Sequence, residues 1–218
     1  LPYNYITYDS NALETLMVPY AGAEKMKFTT LQWEKSSYID DKPVVTSSNV
    51  ETIVGEGAPK TDIDLPFDEL KKLIFTDEEL EQIAQGIFAK VVLTVDKKDS
   101  LDDKEASLIS QKIEQLNKEI SSQYKIGLIL DFNLFKVLGN NETQLSETRG
   151  LIPITVTLPE TLIPSDSNVV RKYKVLRIHD NEVEELPVKA FNIQNRTITF
   201  ETDKFSTYVI VYEDEALN

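Results

Sequence analysis

Apolar and polar residues alternate over five stretches in the second half of the chain, and this period of two constrains the fold more than any other feature. One apolar residue in two is the pattern of a strand that buries one face and exposes the other. Several short strands of this kind are typical of an antiparallel sandwich, in which two apolar sheet faces press together. The stretches are residues 126–134, 152–158, 172–178, 196–202 and 205–212.

Turn and proline residues punctuate these stretches. Gly139-Asn140-Asn141 and Asp180-Asn181 favour tight turns between strands. Pro153 lies inside the second stretch and Pro159 directly follows it. Because proline has no amide hydrogen for a ladder, we predict that this strand lies at a sheet edge or has its prolines near its ends.

Two helices are predicted before the alternating stretches. Thr76 followed three residues later by Glu79 is a capping-box pattern, and Gly86 is placed to end the helix, which gives a helix near 76–85. Residues 89–99 are rich in β-branched side chains and predict a buried strand.

The second predicted helix spans residues 100–122. Ser100 is its expected N-cap, with Asp102 and Asp103 in the first turn. A narrow apolar stripe predicts that it lies on the protein surface, packed by one face. The fold class is therefore predicted as α+β, mainly β, a sandwich-like domain with two helices. The stripe consists of Ile109, Ile113, Leu116 and Ile120.

A break in composition divides the chain. Gly55-Glu56-Gly57-Ala58-Pro59 indicates a linker or long turn. We predict a small β-rich segment, or the end of a preceding domain, at 1–58 and the sandwich-like domain at 59–218.

Aromatic residues of the first segment suggest an alternative function. Flat rings cover the apolar faces of sugars, so a carbohydrate-binding module is the alternative hypothesis, although such rings more often fill a core or an interface. The candidate ligand-binding residues are Trp33, Tyr3, Tyr5, Tyr8 and Tyr20.

Charge and composition exclude several classes. The formal net charge is −14, which disfavours nucleic acid and anionic membranes as partners and is typical of a soluble surface. There is no cysteine, and no stretch approaches the roughly 20 apolar residues that cross a bilayer. No nucleotide-binding glycine motif is present, and we expect no cofactor. The first residues lack a signal peptide, so we expect an excised part of a larger exported protein.

Motifs in the second half carry a resemblance. They are FTDEEL from Phe75, KIGLILDFNLFKVLG from Lys125, KYKVLRIHDNEVEELP from Lys172 and ITFETDKFSTYVIVYED from Ile198. Residues 59–218 resemble a module that recurs in large cell-surface proteins of gut Firmicutes, and the final pattern resembles the end of ZU5-type β-sandwich domains. The resemblance implies an extracellular location in association with the cell wall. It also implies a non-enzymatic structural or adhesive role beside neighbouring domains, with host or dietary glycans or proteins as further partners.

His179 and Ser206 are the residues to weigh for catalysis. A triad needs a histidine base, a nucleophile and an orienting acid, but Asp180, if on a strand, would point away from His179. Some ZU5-type domains cut themselves at His-Phe-Ser, where Lys204-Phe205-Ser206 stands here. Without a histidine at position 204, no evident group takes the serine proton. We expect no catalysis.

Further patterns concern a sortase signal, Ca²⁺ binding and an isopeptide bond. Leu158-Pro159-Glu160-Thr161 resembles a sortase signal, but Leu162 follows in place of glycine. Two carboxylate sets could hold Ca²⁺, although neither has EF-hand spacing, so we predict no metal site. Asn133 or Asn192 could form an isopeptide bond with a core lysine. The carboxylate sets are Asp62, Asp64 and Asp68, and Asp99, Asp102 and Asp103.

Overall fold

The computed structural model describes residues 49–120, 123–166 and 168–216. Strands in two sheets dominate this part of the chain, accompanied by three α-helices. The predicted α+β, mainly β, sandwich-like fold is confirmed. The five aromatic residues proposed for sugar binding, Trp33, Tyr3, Tyr5, Tyr8 and Tyr20, lie outside the described residues.

The strands and helices follow one another with short connections. The helices are α1 (Phe67–Ile74), α2 (Asp77–Ala84) and α3 (Asp103–Ile120), and Glu160–Leu162 forms a short 3₁₀ turn. The strands are β1 (Val50–Val54), β2 (Thr61–Ile63), β3 (Ala89–Lys98), β4 (Lys125–Leu138), β5 (Asn141–Leu145), β6 (Glu147–Thr157), β7 (Val169–His179), β8 (Glu182–Leu186), β9 (Val188–Asn192), β10 (Thr197–Lys204) and β11 (Thr207–Ala216).

Two sheets form the sandwich. Sheet A has seven strands in the order β1-β3-β4-β11-β7-β8, with β5 pairing to β4 where β4 extends past β11. Sheet B has four strands in the order β2-β6-β10-β9. The pair β1–β3 is parallel, and the other pairs are antiparallel. The long strand β4 therefore pairs with β11 along its first part and with β5 along its last part.

The main core lies between the two sheets. Alternate residues of β4 point into it, and the same alternation on β6 and β10 supplies the facing side. The rings of Phe132 and Tyr208 stack with centroids 4.6 Å apart, and Phe200 of sheet B lies 6.4 Å from Phe132. The period of two seen in the sequence thus identifies the inward-facing residues. On β4 these are Leu128, Leu130, Phe132 and Leu134.

A second, smaller core lies on the opposite face of sheet A, beneath α3. Ile109 and Leu116 of α3 pack there with Ile129 of β4 and Val209 and Val211 of β11. Ile109, Ile113 and Leu116 of the predicted apolar stripe therefore lie on the face of α3 that contacts the sheet. As a result, β4 and β11 are buried on both faces.

The N-terminus of α3 differs from the prediction. The cap is Asp102, not Ser100: its Oδ1 accepts hydrogen bonds from the amides of Lys104 at 2.8 Å and Glu105 at 2.9 Å. Glu105 Oε2 in turn accepts from the Asp102 amide at 3.4 Å. Asp102 is the cap because its side chain accepts from free amides of the first turn, while the side chain of Glu105, three residues later, accepts from the Asp102 amide.

The two helices before β3 differ in how well the sequence predicts them. The capping box of Thr76 and Glu79 on α2 is confirmed in both directions. Helix α1 was not predicted; it begins after Pro66 and buries Leu70 and Ile74, one turn apart on one face. Among the described residues, no helix is long and apolar enough to cross a membrane.

The position of β6 corrects the expectation drawn from its prolines. This strand lies inside sheet B, between β2 and β10, and is not an edge strand. The carbonyl of Pro153 accepts from the amide of Asp64, just past the last residue of β2, Ile63. In an antiparallel sheet, the nitrogen and the carbonyl of one residue face the same neighbouring strand. The nitrogen of Pro153, which carries no hydrogen, therefore faces the chain just beyond the end of β2, where no ladder bond is required of it.

The compact domain begins earlier than the linker-like sequence predicts. Contacts divide the chain between Ser47 and Ser48, not near residue 58. Strand β1 belongs to sheet A because Val50–Val54 pairs with Val91–Val95 of β3. Gly57, with φ of 77°, lies in the turn that leaves β1 and does not separate two domains.

We expect Ile109→Ala to lower the free energy of unfolding by about 2–5 kcal/mol, because it empties part of the core beneath α3. Urea denaturation followed by circular dichroism measures this change. Ser110→Ala, on the exposed side of the same helix turn, is the matched control and should change stability by less than about 0.5 kcal/mol. Equal effects of the two substitutions would contradict the packing of α3 described above.

Candidate functional site

A dense group of polar side chains lies where β7 ends beside the β10–β11 connection. Pairing of Ile178 with Thr207 and of His179 with Glu182 fixes the local register. Because side chains alternate along β7, Ile178 points toward α3 while Arg177 and His179 point the other way. We call Arg177, His179, Thr202, Asp203, Ser206 and Tyr208 the Arg177 cluster.

Arg177 is the buried centre of this cluster, with 4% of its surface exposed. One guanidinium nitrogen, Nη1, donates to Thr202 Oγ1 and to Asp203 Oδ1, each at 2.7 Å, and Nη2 pairs with Glu184. The Thr202 hydroxyl lies 2.7 Å from that of Tyr208, which donates to the Lys204 carbonyl. Thr202 and Asp203 belong to sheet B and Arg177 to sheet A, so these bonds join the two sheets.

Burial and charge shift the pKa values of this cluster. Burial alone would raise the pKa of Asp203, but the hydrogen bond and charge of Arg177 hold it below its ordinary value. Burial raises the pKa of Tyr208 far above its ordinary value, so its hydroxyl stays protonated at neutral pH. Within the described residues, Arg177 Nε is a buried nitrogen without a hydrogen-bond partner. The charges within the cluster therefore compensate one another, while the N–H of Arg177 Nε is left without an acceptor among the described residues.

His179, Ser206 and Asp180 meet, which the sequence did not predict. His179 Nδ1 lies 3.3 Å from Ser206 Oγ, and His179 Nε2 lies 3.5 Å from Asp180 Oδ2. The prediction that Asp180 points away is wrong because Asp180 is in a turn: φ is 49° there and 67° at Asn181, which matches a type I′ turn. The proximity of His179 to Ser206 depends on pairing between strands that are distant in the sequence, so no local sequence pattern predicts it.

The hydrogen-bond directions in this trio do not match those of an activated serine. The Ser206 hydroxyl donates its one hydrogen to the carbonyl of Ile178. It can therefore only accept a bond from His179 Nδ1, whereas a general base must receive the serine hydrogen. The geometry gives Ser206 the role of a bridge between the end of β7 and the start of β11.

A cavity of about 330 Å³ opens beside the cluster. Its lining carries both signs of charge, since Arg177 and Lys204 are basic and Glu182 and Glu184 are acidic, and His179 and Val183 complete it. Glu184 already pairs with Arg177. The walls can donate and accept hydrogen bonds, but their charges largely offset one another.

The predicted carboxylate sets are not assembled into ion sites. Asp62 pairs with Lys60, Asp68 with Lys71 at 2.6 Å and Asp99 with Lys97 at 3.2 Å, while Asp64 accepts a bond from Thr155. In the described part of the chain, no group of three or more acidic or histidine side chains is placed to hold a metal.

The asparagines proposed for an isopeptide bond have other partners. Asn133 Nδ2 donates to Asp131 at 3.2 Å, and its Oδ1 accepts from Gln144 at 2.8 Å. Asn192 is exposed, and its Oδ1 accepts from the amide of Asn195. The sortase-like residues lie where predicted, after β6, with Leu158 buried in the main core and Glu160 beginning the 3₁₀ turn.

The chain was compared with protein-family models, with curated proteins and with solved structures, and none of the three comparisons found a match. The resemblance to surface-protein modules and to ZU5-type domains therefore stays a prediction that rests on the quoted motifs.

We expect replacement of Asp203 by asparagine to lower the free energy of unfolding at pH 7 by about 1–2 kcal/mol, a modest value because the carboxylate is 38% exposed and partly screened. A carboxyl with a lowered pKa stabilises the fold above its unfolded-state pKa of about 3.9, and this contribution disappears as the pH falls through the lower folded-state pKa. The difference between the native protein and Asp203→Asn should therefore be constant near neutrality and shrink below about pH 4.

Urea denaturation at a series of pH values measures this difference. Asp99→Asn, at a carboxylate 94% exposed, is the control and should change stability by less than about 0.5 kcal/mol. A difference between native protein and Asp203→Asn that does not change down to pH 2.5 would be inconsistent with the pairing of Asp203 and Arg177.

We expect the chain to stay uncleaved at Phe205–Ser206, because the hydrogen of Ser206 is engaged by Ile178. Intact-mass measurement after prolonged incubation should give one species of 24.8 kDa. Lys204→His, which restores the His-Phe-Ser sequence, should also remain intact. Fragments ending at Phe205 in the native chain, absent from Ser206→Ala, would refute the bridging role of Ser206.

Proposed function

We propose that this chain is a non-catalytic structural module of an extracellular bacterial surface protein, which holds the neighbouring parts of that protein apart. The observation that carries the proposal is that the chain enters and leaves sheet A at opposite ends. An in-line spacer needs this arrangement, because entry and exit at the same end would fold the polypeptide back on itself.

The strand registers measure this separation. Val50, the first residue of β1, is level with Val91 of β3. Lys98 of β3 is level with Val209 of β11, because both pair with Ile129 of β4. From Val91 the path runs about seven residues along β3 and then about seven along β11 to Ala216, roughly 45 Å of strand length at about 3.3 Å per residue.

The exit end of sheet A is braced. Arg171 on β7 binds Asp214 on β11 through two bonds, from Nε at 2.6 Å and Nη2 at 2.7 Å. The guanidinium carbon of Arg171 lies 3.9 Å from the ring centroid of Tyr212, and its Nη1 donates to the carbonyl of Leu162. The hydrogen bond from Arg171 holds the pKa of Asp214 below its ordinary value. These contacts favour a rigid exit strand.

The surface suits an exposed, crowded location. A net charge of −14 makes copies of the chain repel one another, which supports solubility outside the cell. The motif resemblance to surface-protein modules supports the same location. The absence of cysteine means that the fold does not depend on the redox state of its surroundings.

If the proposal is right, an epitope tag inserted at Asn140, in the exposed β4–β5 turn, should be labelled by antibody on intact cells that produce the full-length protein. Surface proteolysis should remove the label. A cytosolic protein, labelled only after permeabilisation, serves as the control. Labelling of the tag only after permeabilisation would refute an extracellular location.

The distance between the two ends of sheet A can be measured separately in the 218-residue chain. Spin labels on Asn140→Cys and Glu215→Cys, the only thiols in the chain, should give one narrow distance distribution centred at roughly 45–55 Å. A broad distribution, or a mean below about half that length, would remove the observation on which the spacer role rests.

A further inference from the structure

We infer that β1 is a force-release strand: tension along sheet A detaches β1 from β3 while the sheet from β3 to β11 stays folded. The inference rests on the proposed function, because only a spacer pulled between its two ends carries such tension. It adds to that function a defined first step of extension.

The load path follows from strand directions. Strand β1 is parallel to β3, β3 is antiparallel to β4, and β4 is antiparallel to β11, so β1 and β11 run in the same direction. A pull on the start of β1 and on the end of β11 therefore slides neighbouring strands past each other. In this shear geometry all the ladder bonds of one interface share the load.

The interfaces along this path lie in series, and the shortest yields first. In the described residues β1 is joined to sheet A through five register pairs with β3. Strand β3 has ten pairs with β4, and β11 is held on one side by six pairs with β4 and on the other by ten with β7. The same tension therefore acts on five register pairs at β1–β3, compared with ten at β3–β4 and six at β4–β11, and removal of β11 alone would also break its ten pairs with β7.

Side-chain packing reinforces the difference. The inward-facing residues of β1, Val50, Thr52 and Val54, border an open groove of about 460 Å³ between β1 and β2. On the outer face, Ile53 is 48% exposed. By contrast, Val209, Ile210 and Val211 of β11 are at most 1% exposed. Detaching β1 therefore uncovers much less apolar surface than detaching β11.

Contacts beside the ladder also hold β1: Val50 packs against the main core, and the Asn49 carbonyl accepts from the Val91 amide at 2.8 Å. Glu51 forms an ion pair with Lys90, with the carboxylate side chain 41% exposed. Asn49 Nδ2 donates to the Ala89 carbonyl at 2.6 Å, and Gly55 donates its amide to the Val95 carbonyl at 2.8 Å. Beyond them the next ladder is that of β2 with β6, starting at Thr61. The Lys60 carbonyl already accepts from the amide of Thr157 on β6 at 2.8 Å, so the first step frees residues 49–59.

Single-molecule pulling on the full chain, placed between marker domains, tests the inference. Freeing about 11 residues adds at most roughly 40 Å of contour length at about 3.6 Å per residue. We expect this short step before the main unfolding event. A disulfide between Ile53→Cys and Thr94→Cys, register partners on the outer face, should abolish the step, and reductant should restore it.

Two further variants keep the test specific. A matched lock between Ala190→Cys and Thr199→Cys joins β9 to β10, away from the load path, and should leave the short step unchanged. Glu51→Gln, which removes the ion pair with Lys90, should lower the force of the short step without changing the main event.

Extension in one event without a short step, or a short step that survives in the oxidised Ile53→Cys/Thr94→Cys protein, would overturn the inference. An extension event that is common to all variants and does not respond to the lock is not the short step. Surface labelling at Asn140 is independent of these outcomes, so failure of the inference and failure of the proposed function are distinguishable.

Discussion

Burial of sheet A on both faces is the constraint on which the rest of the structure depends. One face meets sheet B across the main core and the other carries α3, so the central strands β4 and β11 are apolar on both sides along much of their length. Two apolar faces require two covering layers, which is why a helix with a single apolar stripe follows β3 and returns over the sheet.

Polar contacts hold the layers in register where apolar packing alone leaves freedom to slide. Arg177 reaches from sheet A to Thr202 and Asp203 of sheet B, and its charge is compensated by Asp203 and Glu184. Such a cluster adds little net stability compared with an apolar substitute of the same shape, but it accepts only one alignment of the two sheets. The neighbouring His179 and Ser206 act within sheet A, since Ser206, at the start of β11, contacts both that ring and the carbonyl of Ile178 on β7.

The sequence predicted those features that depend on local periodicity and missed those that depend on pairing. Alternation located β4, β6, β7, β10 and β11, and the capping box located α2, because each signal lies within a few residues. The boundary near residue 58 failed because β1 gains its stability from β3, about 40 residues away in the chain. Contact between His179 and Ser206 was missed for the same reason, since a single-sequence pattern contains no information on which strands become neighbours.

The location of β11 has a consequence for how the protein is made. Among the described residues it is the last strand in the sequence, and it joins β4 to β7 at the middle of sheet A. A chain that emerges from the ribosome from its N-terminus cannot close this sheet until residues 207–216 are free. Until then, β4 and β7 expose the edges that β11 will occupy. Folding of sheet A is therefore coupled to the emergence of its most C-terminal strand.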